Sequence, residues 1–216
     1  LSLSATLNAQ IVDIADANFK ARLIAVGIDT NNDGKIQLNE ALQTEELNIS
    51  NAGIASLSGI ASFSNLKRLN CNNNNLTSLS FDISNLYELR CSNNKLTEIE
   101  NISSETKELD ASYNELTNLD LPSNLKYNYL NISGNQYTSV ELNTLKLENF
   151  YCNDTKLTSL DFSNVKQLSE TISIKDNANL KAINFKNNKF DLCYVTNGGC
   201  HFYLLLSGNP SLKNIC

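Results

Sequence analysis

"LKRLNCNNNNLTSL" (residues 66–79) is followed at a spacing of 20 residues by "LYELRCSNNKLTEI" (86–99) and then by "TKELDASYNELTNL" (106–119). They share the template L-x-x-L-x-(L/C/A)-x-x-N-x-L-x-x-L, which continues in "YNYLNISGNQYTSV" (127–140) and "LENFYCNDTKLTSL" (147–160). Looser copies stand at "TISIKDNANLKAI" (171–183) and "YLLLSGNPSLKNI" (203–215), and a first copy at "LNISNAGIASL" (47–57). A short internal period marks stacked units, none of which can bury its apolar face alone. Leu69 and Cys71, Leu89 and Cys91, and Leu109 and Ala111 alternate with polar residues. That period of two belongs to a strand with one face in the core. Asn74, Asn94, Asn114, Asn135, Asn177 and Asn209 recur where the chain must turn inward. A side-chain amide there can satisfy backbone groups that a buried turn would leave unpaired, at about 1–3 kcal/mol each. Thr155 replaces this Asn in one copy, and the ladder should be weaker there.

The copies carry a resemblance to leucine-rich-repeat proteins over residues 47–216. It implies an α/β solenoid, a leucine-rich-repeat horseshoe with a parallel β-sheet on its concave face. A coil of 20 residues leaves little room for a full helix opposite each strand. Short 3₁₀ or extended convex segments are therefore expected. A solenoid also needs a cap at each end, or its last core layer faces water.

"DTNNDGKIQLNE" (29–40) lies just upstream of the first copy. It offers side-chain oxygens at Asp29, Asn31, Asp33, Gln37 and Glu40, a carbonyl at Lys35, and Gly34 at the sharp turn. This is the D-x-[DN]-x-[DN]-G-x5-E calcium-loop pattern, with hard oxygen ligands spaced for Ca²⁺. The alternative is an Asp/Asn-rich turn that binds nothing. In front of it, "DANFKARLIAV" (16–26) predicts a helix with Asp16 as N-cap and Phe19, Leu23 and Val26 on one face. A second short helix is expected from Glu40 to about Leu47. Such loops usually come in pairs, yet only one is present. Leu38, Ala41 and Leu42 are available to cover the first core layer. We therefore expect a small helical, metal-clamped N-terminal cap over residues 10–46. The chain here resembles secreted bacterial leucine-rich-repeat proteins of internalin-like and Bacteroidetes type. It is the resemblance that implies the cap role of an EF-hand-like calcium loop.

The opening "LSLSATLNA" (1–9) is uncharged and reads as a signal-peptide remnant or a disordered tail. Cys71, Cys91 and Cys152 occupy inward strand positions and read as small hydrophobes, although a Cys71–Cys91 bridge is conceivable. "CYVTNGGC" interrupts the repeat as an insertion over 186–202, and a Cys193–Cys200 disulfide is the favoured pairing, which suits an extracellular setting. Cys216 is left over. With one histidine, His201, a His-based triad or multi-His zinc site has no basis, and no nucleophile or phosphate-loop motif occurs, so no enzyme is expected. The net charge is −6 and no basic stripe is present, which argues against nucleic acid. No apolar run reaches the roughly 20 residues of a membrane span.

What remains is a surface. Outward strand positions include Arg68, Arg90, Asp110, Tyr129, Asn131, Tyr151, Asn153, Lys175 and Tyr203. Stacked at about 4.8 Å, they make a face of roughly 35 Å, large enough for a protein interface. Tyr129, Tyr151 and Tyr203 either shield the sheet or anchor a partner, since Tyr brings rigid area with a polar tip. The expectation is a secreted or cell-surface binding or adhesion module, monomeric, taking a protein ligand or a glycan. The alternative is a non-catalytic recognition arm of a larger secreted enzyme or assembly.

Overall fold

The computed structural model describes residues 10–80, 83–186 and 202–216. The expected leader remnant (1–9), the Cys193–Cys200 bridge and His201 lie outside them. Two compact units are present, Leu1–Thr106 and Lys107–Cys216.

In the first unit, helix α1 (Ala17–Ala25) buries Phe19 and Leu23, one turn apart on one face. Val26, expected on that face, is the C-cap residue and 37% exposed. The second helix, α2 (Leu38–Leu42), ends well short of Leu47, because Leu47 is the buried centre of the first strand, β1 (Glu46–Asn48). A 3₁₀ turn (Ile60–Ser62) follows, then β2 (Arg68–Asn70), β3 (Ser78–Ser80), β4 (Glu88–Arg90) and β5 (Glu98–Glu100). β1, β2 and β4 pair in parallel, with Leu47, Leu69 and Leu89 in register and buried. β3 and β5 pair separately, burying Leu79 and Ile99.

The second unit repeats the scheme. β6 (Glu108–Asp110), β7 (Lys126–Asn131), β8 (Lys146–Tyr151), β10 (Gln167–Ser173) and β12 (Tyr203–Leu205) form one parallel set. β9 (Ser159–Asp161), β11 (Ala182–Asn184) and β13 (Asn214–Ile215) form another. The extended segments opposite the main strands thus pair as short sheets of their own. Behind β8, Phe162 stacks on Phe185 at 4.9 Å and meets Phe150 edge-on at 5.9 Å. The fold is a parallel-strand β-solenoid with few helices, as the repeat implies.

Each coil turns through a dipeptide. Its first residue takes the left-handed conformation: Asn51, Asn73, Asn93, Tyr113, Gly134, Asp154, Asp176 and Gly208. Asn, Asp and Gly tolerate that region; other side chains pay in steric strain. Tyr113 is the exception, and its ring lies over Gly134, where a Cβ would come within 2.5 Å of Cδ1. In six of these eight turns the second residue is an asparagine, buried at Asn74, Asn114, Asn135 and Asn177 and half-buried at Asn94 and Asn209. Nδ2 of Asn135 donates to the carbonyls of Ala111 (2.9 Å), Ile132 and Ser133 (both 3.1 Å), and its Oδ1 accepts from the Leu116 amide at 3.1 Å. Asn74 serves Ile49, Cys71, Asn72, Ala52 and Ile54 in the same manner. At Thr155 the hydroxyl instead donates to Oδ1 of Asn177, which keeps its own bond to the Cys152 carbonyl at 2.9 Å.

Asn135→Ala would strip partners from buried carbonyls and an amide. It should cost about 3 kcal/mol or more in denaturant unfolding, against less than about 0.5 kcal/mol for the exposed Asn143→Ala.

Candidate functional site

Two regions hold the candidate residues: the loop of the cap, and the outward face of the main strands.

The loop is anchored from both sides. Ile36 and Gln37 pair antiparallel with Ile11 and Val12: the Val12 amide donates to the Ile36 carbonyl at 2.8 Å, and the Leu38 amide to the Gln10 carbonyl at 2.8 Å. The chain's own upstream segment supplies the strand partner that a second loop would offer. Val12 and Ile36 are buried by this pairing. Asp16 then ties the cap to the first coil. Its Oδ1 accepts from the Asn18 and Phe19 amides at the start of α1, both at 2.9 Å. Its Oδ2 accepts from the Ala55 and Ser56 amides, at 2.8 and 3.0 Å. The approach is tight: a Cβ on Gly59 (φ +96°) would sit 2.5 Å from the Asp13 carbonyl oxygen.

Within the loop, Asp29, Gln37 and Glu40 are buried, while Asn31, Asp33 and Lys35 are exposed. Asp29 accepts from the Asp33 amide (3.2 Å) and the Gly34 amide (2.9 Å). Asp33 accepts from the Lys35 amide (2.9 Å) and from Nε2 of Gln37 (2.7 Å), and Asn31 Oδ1 from the Asp33 amide (2.9 Å). Glu40 stands at the third position of α2 and closes a capping box with Gln37, accepting from its amide at 2.9 Å. Its other oxygen accepts from the Thr30 amide and hydroxyl, at 2.7 and 2.8 Å. Among the described residues no group of three or more His, Cys, Asp or Glu side chains forms a metal-holding cluster. The donor set still suits a hard cation, being oxygen throughout with Gly34 at φ +75° on the turn. Glu40 would have to exchange hydrogen-bond donors for a metal.

On the strand face, Arg68 pairs with Glu46 of the neighbouring strand and Arg90 with Glu88 of its own. In the second unit, Tyr129 and Tyr151 meet with ring centroids 5.4 Å apart and planes at 40°. Their contact is diagonal, since Tyr129 is in register with Asn149 and Tyr151 with Asn131. Tyr203 lies in register with Thr171, on a strand beyond, and is 50% exposed. Asp110, Asn131 and Asn153 serve the fold as well. They accept from the amides of Ser112 (3.1 Å), Ser133 (3.1 Å) and Lys175 (2.8 Å). Lys175 is half-buried. Ser92, Ser112, Ser133 and Ser173, outward by strand alternation, are buried between coils. Cys71, Cys91 and Cys152 are buried thiols, and burial pushes those of Cys71 and Cys152 up to about 12. They are inert packing residues. Among the described residues no helix is long and apolar enough to cross a membrane.

The architecture is that of an internalin-like leucine-rich-repeat protein. Among solved structures, the chain is similar to the functional domain of InlJ from Listeria monocytogenes, described as including a cysteine ladder. Identity is 19% and the TM-score 0.50, covering 94% of this chain and 62% of that one. It is also similar to an internalin, InlF, from Listeria monocytogenes, at 16% identity and a TM-score of 0.46, covering 99% and 98%. No protein-family model and no curated protein matches the sequence.

Asp16 and Glu40 are both held below their ordinary carboxylate values. Burial pushes each upward, but the backbone amides aimed at them outweigh it: those of Phe19, Ala55, Ser56 and Asn18 at Asp16, and those of Gln37, Thr30 and Asn31, with the Thr30 hydroxyl, at Glu40. A depressed folded-state pKa gives stability that is full above the unfolded value and lost as pH falls through the folded one. Melting temperature should therefore be flat above about pH 5 and fall below about pH 4. Asp16→Asn, which turns the acceptor of the Ala55 and Ser56 amides into a donor, should lower it at pH 7 by the equivalent of about 1 kcal/mol and flatten the acid limb.

Proposed function

We propose that this chain is a non-catalytic binding module of a secreted or cell-surface protein, using the outward face of its main strands for a protein ligand. The observation that carries this is the Tyr129–Tyr151 contact, a pair of half-buried aromatic rings among the polar outward side chains of β6, β7 and β8. Paired aromatics with hydroxyl tips are poor solvent-facing residues and good hot spots. The same rings suit sugars, so a glycan is the second reading.

We further propose that the loop at 29–40 holds one structural Ca²⁺ through Asp29, Asn31, Asp33, the Lys35 carbonyl, Gln37 and Glu40. The chemistry of the donor set supports this, as does the loop's anchorage on residues 10–12. A bound ion would draw in the carboxylates of Asp29, Asp33 and Glu40, compensate their charge, and stiffen the cap. It has no part in contacting the ligand.

Capture of cell-surface proteins and of glycan arrays on the immobilised chain, in calcium and in chelator, tests both readings. We expect a specific partner whose affinity drops at least tenfold in Tyr129→Ala/Tyr151→Ala. Calcium should raise the melting temperature of the native chain and leave that of Glu40→Gln unchanged, with Glu40→Gln lower than native even in chelator because its capping bonds are lost. Binding that ignores both tyrosines would sink the strand-face reading. Identical melting of the native chain in calcium and chelator would sink the calcium reading.

A further inference from the structure

Where the cap meets the strand face of the first unit, a groove of about 530 Å³ is bounded by Arg22, Val26 and Ile28 of the cap and floored by β1, β2 and β4. Its ionisable lining is Arg22, Arg68 and Arg90 against Glu46 and Glu88, three cations to two carboxylates. Arg68 is taken up by Glu46 and Arg90 by Glu88, which leaves Arg22. Among the described residues Arg22 has no ion-pair partner, and its Nε–H is buried with no acceptor. A buried guanidinium donor without an acceptor is costly, and the planar fork of Arg matches a carboxylate best. Beside it stand Val26, 37% exposed, and the half-buried Ile28. Local excess of positive charge in a chain of net charge −6 gives this groove a sign opposite to that of the whole.

We propose that the groove docks an acidic segment of a partner protein, an Asp or Glu adjoining an aliphatic or aromatic residue. The carboxylate sits on Arg22, and the apolar neighbour lies against Val26 and Ile28. The proposal rests on the reading of the outward strand positions as a binding surface, and names the chemistry received by those of the first unit.

Arrays of immobilised decapeptides of varied sequence, probed with the native chain and with Arg22→Gln, Arg22→Lys and Tyr129→Ala/Tyr151→Ala, test it, each variant first checked for a cooperative melt. Bound peptides should be enriched in Asp or Glu next to Leu, Val or Phe, and their binding should weaken with added salt. Arg22→Gln should lower their affinity about tenfold, equivalent to about 1.4 kcal/mol. Arg22→Lys should lose less, and the tyrosine variant should keep the acidic preference. An acidic preference that survives Arg22→Gln, or peptide binding without one, overturns the proposal. If that binding is lost in the tyrosine variant, the broader strand-face reading stands while the groove falls. Displacement by inorganic phosphate at the same concentration as by peptide overturns it in favour of a simple anion site. No peptide bound by any folded variant overturns it too, leaving cell-surface capture to decide the broader reading alone.

Discussion

A buried asparagine side chain, bonded at once to its own coil and to the coil before it, is the interaction on which this protein depends. Stacking strands side by side leaves each coil with a turn that must enter the core, and its carbonyls and amides have no ladder to join. Asn135 alone reaches the Ala111, Ile132 and Ser133 carbonyls and the Leu116 amide. One primary amide has the two donors and the acceptor this needs; Ala or Leu has neither, and a carboxylate lacks the donors. The preceding left-handed residue aims that side chain inward while its own amide bonds to the next coil, as Asn73 does to the Ser92 carbonyl at 2.9 Å. The same bookkeeping accounts for the buried serines: the Ser133 hydroxyl accepts from the Asn153 amide at 3.0 Å, and that of Ser173 donates to the Asn153 side chain at 2.9 Å.

Because each coil is completed by a neighbour, the first coil needs something upstream of it. The cap answers with a single carboxylate in two roles, Asp16 starting α1 and receiving the Ala55 and Ser56 amides. It answers also with residues 10–12, which lie against Ile36 and Gln37 where a second loop would otherwise be required. With the turns committed to the ladder and the cap to the first coil, the outward strand positions are the ones left for recognition, and the proposed roles of the tyrosine pair and of Arg22 follow from that division.

The repeat was legible because its causes are local and periodic: the two-residue alternation marks the strands and the recurring Asn marks the turns. The helix before the cap loop was legible for the same reason, since its N-cap Asp16 and the spacing of Phe19 and Leu23 are local. Features set by register or by distant packing were not. Tyr129 and Tyr151 meet diagonally across β7 and β8 rather than side by side. Simple alternation put Ser92 and Ser173 outside, whereas the close spacing of the coils buries them. The second helix stops at Leu42 because Leu47 is claimed by the sheet, a tertiary demand that helix patterning cannot register. Tyr113 occupies a turn position that its side chain disfavours, and only its contact with Gly134 gives a reason. Arg22 gave no signal at all, being an ordinary helical arginine until β1 and β2 are set beside it.

The ladder is tested most directly by residue-resolved amide hydrogen exchange. The amides of Ile54, Leu76 and Leu116, which donate to Asn74, Asn94 and Asn135, should exchange as slowly as those in the centres of the main strands. In Asn135→Ala, Leu116 should lose its protection while Ile54 and Leu76 keep theirs. Fast exchange at all three in the native chain, or an unchanged Leu116 in the variant, would contradict the account.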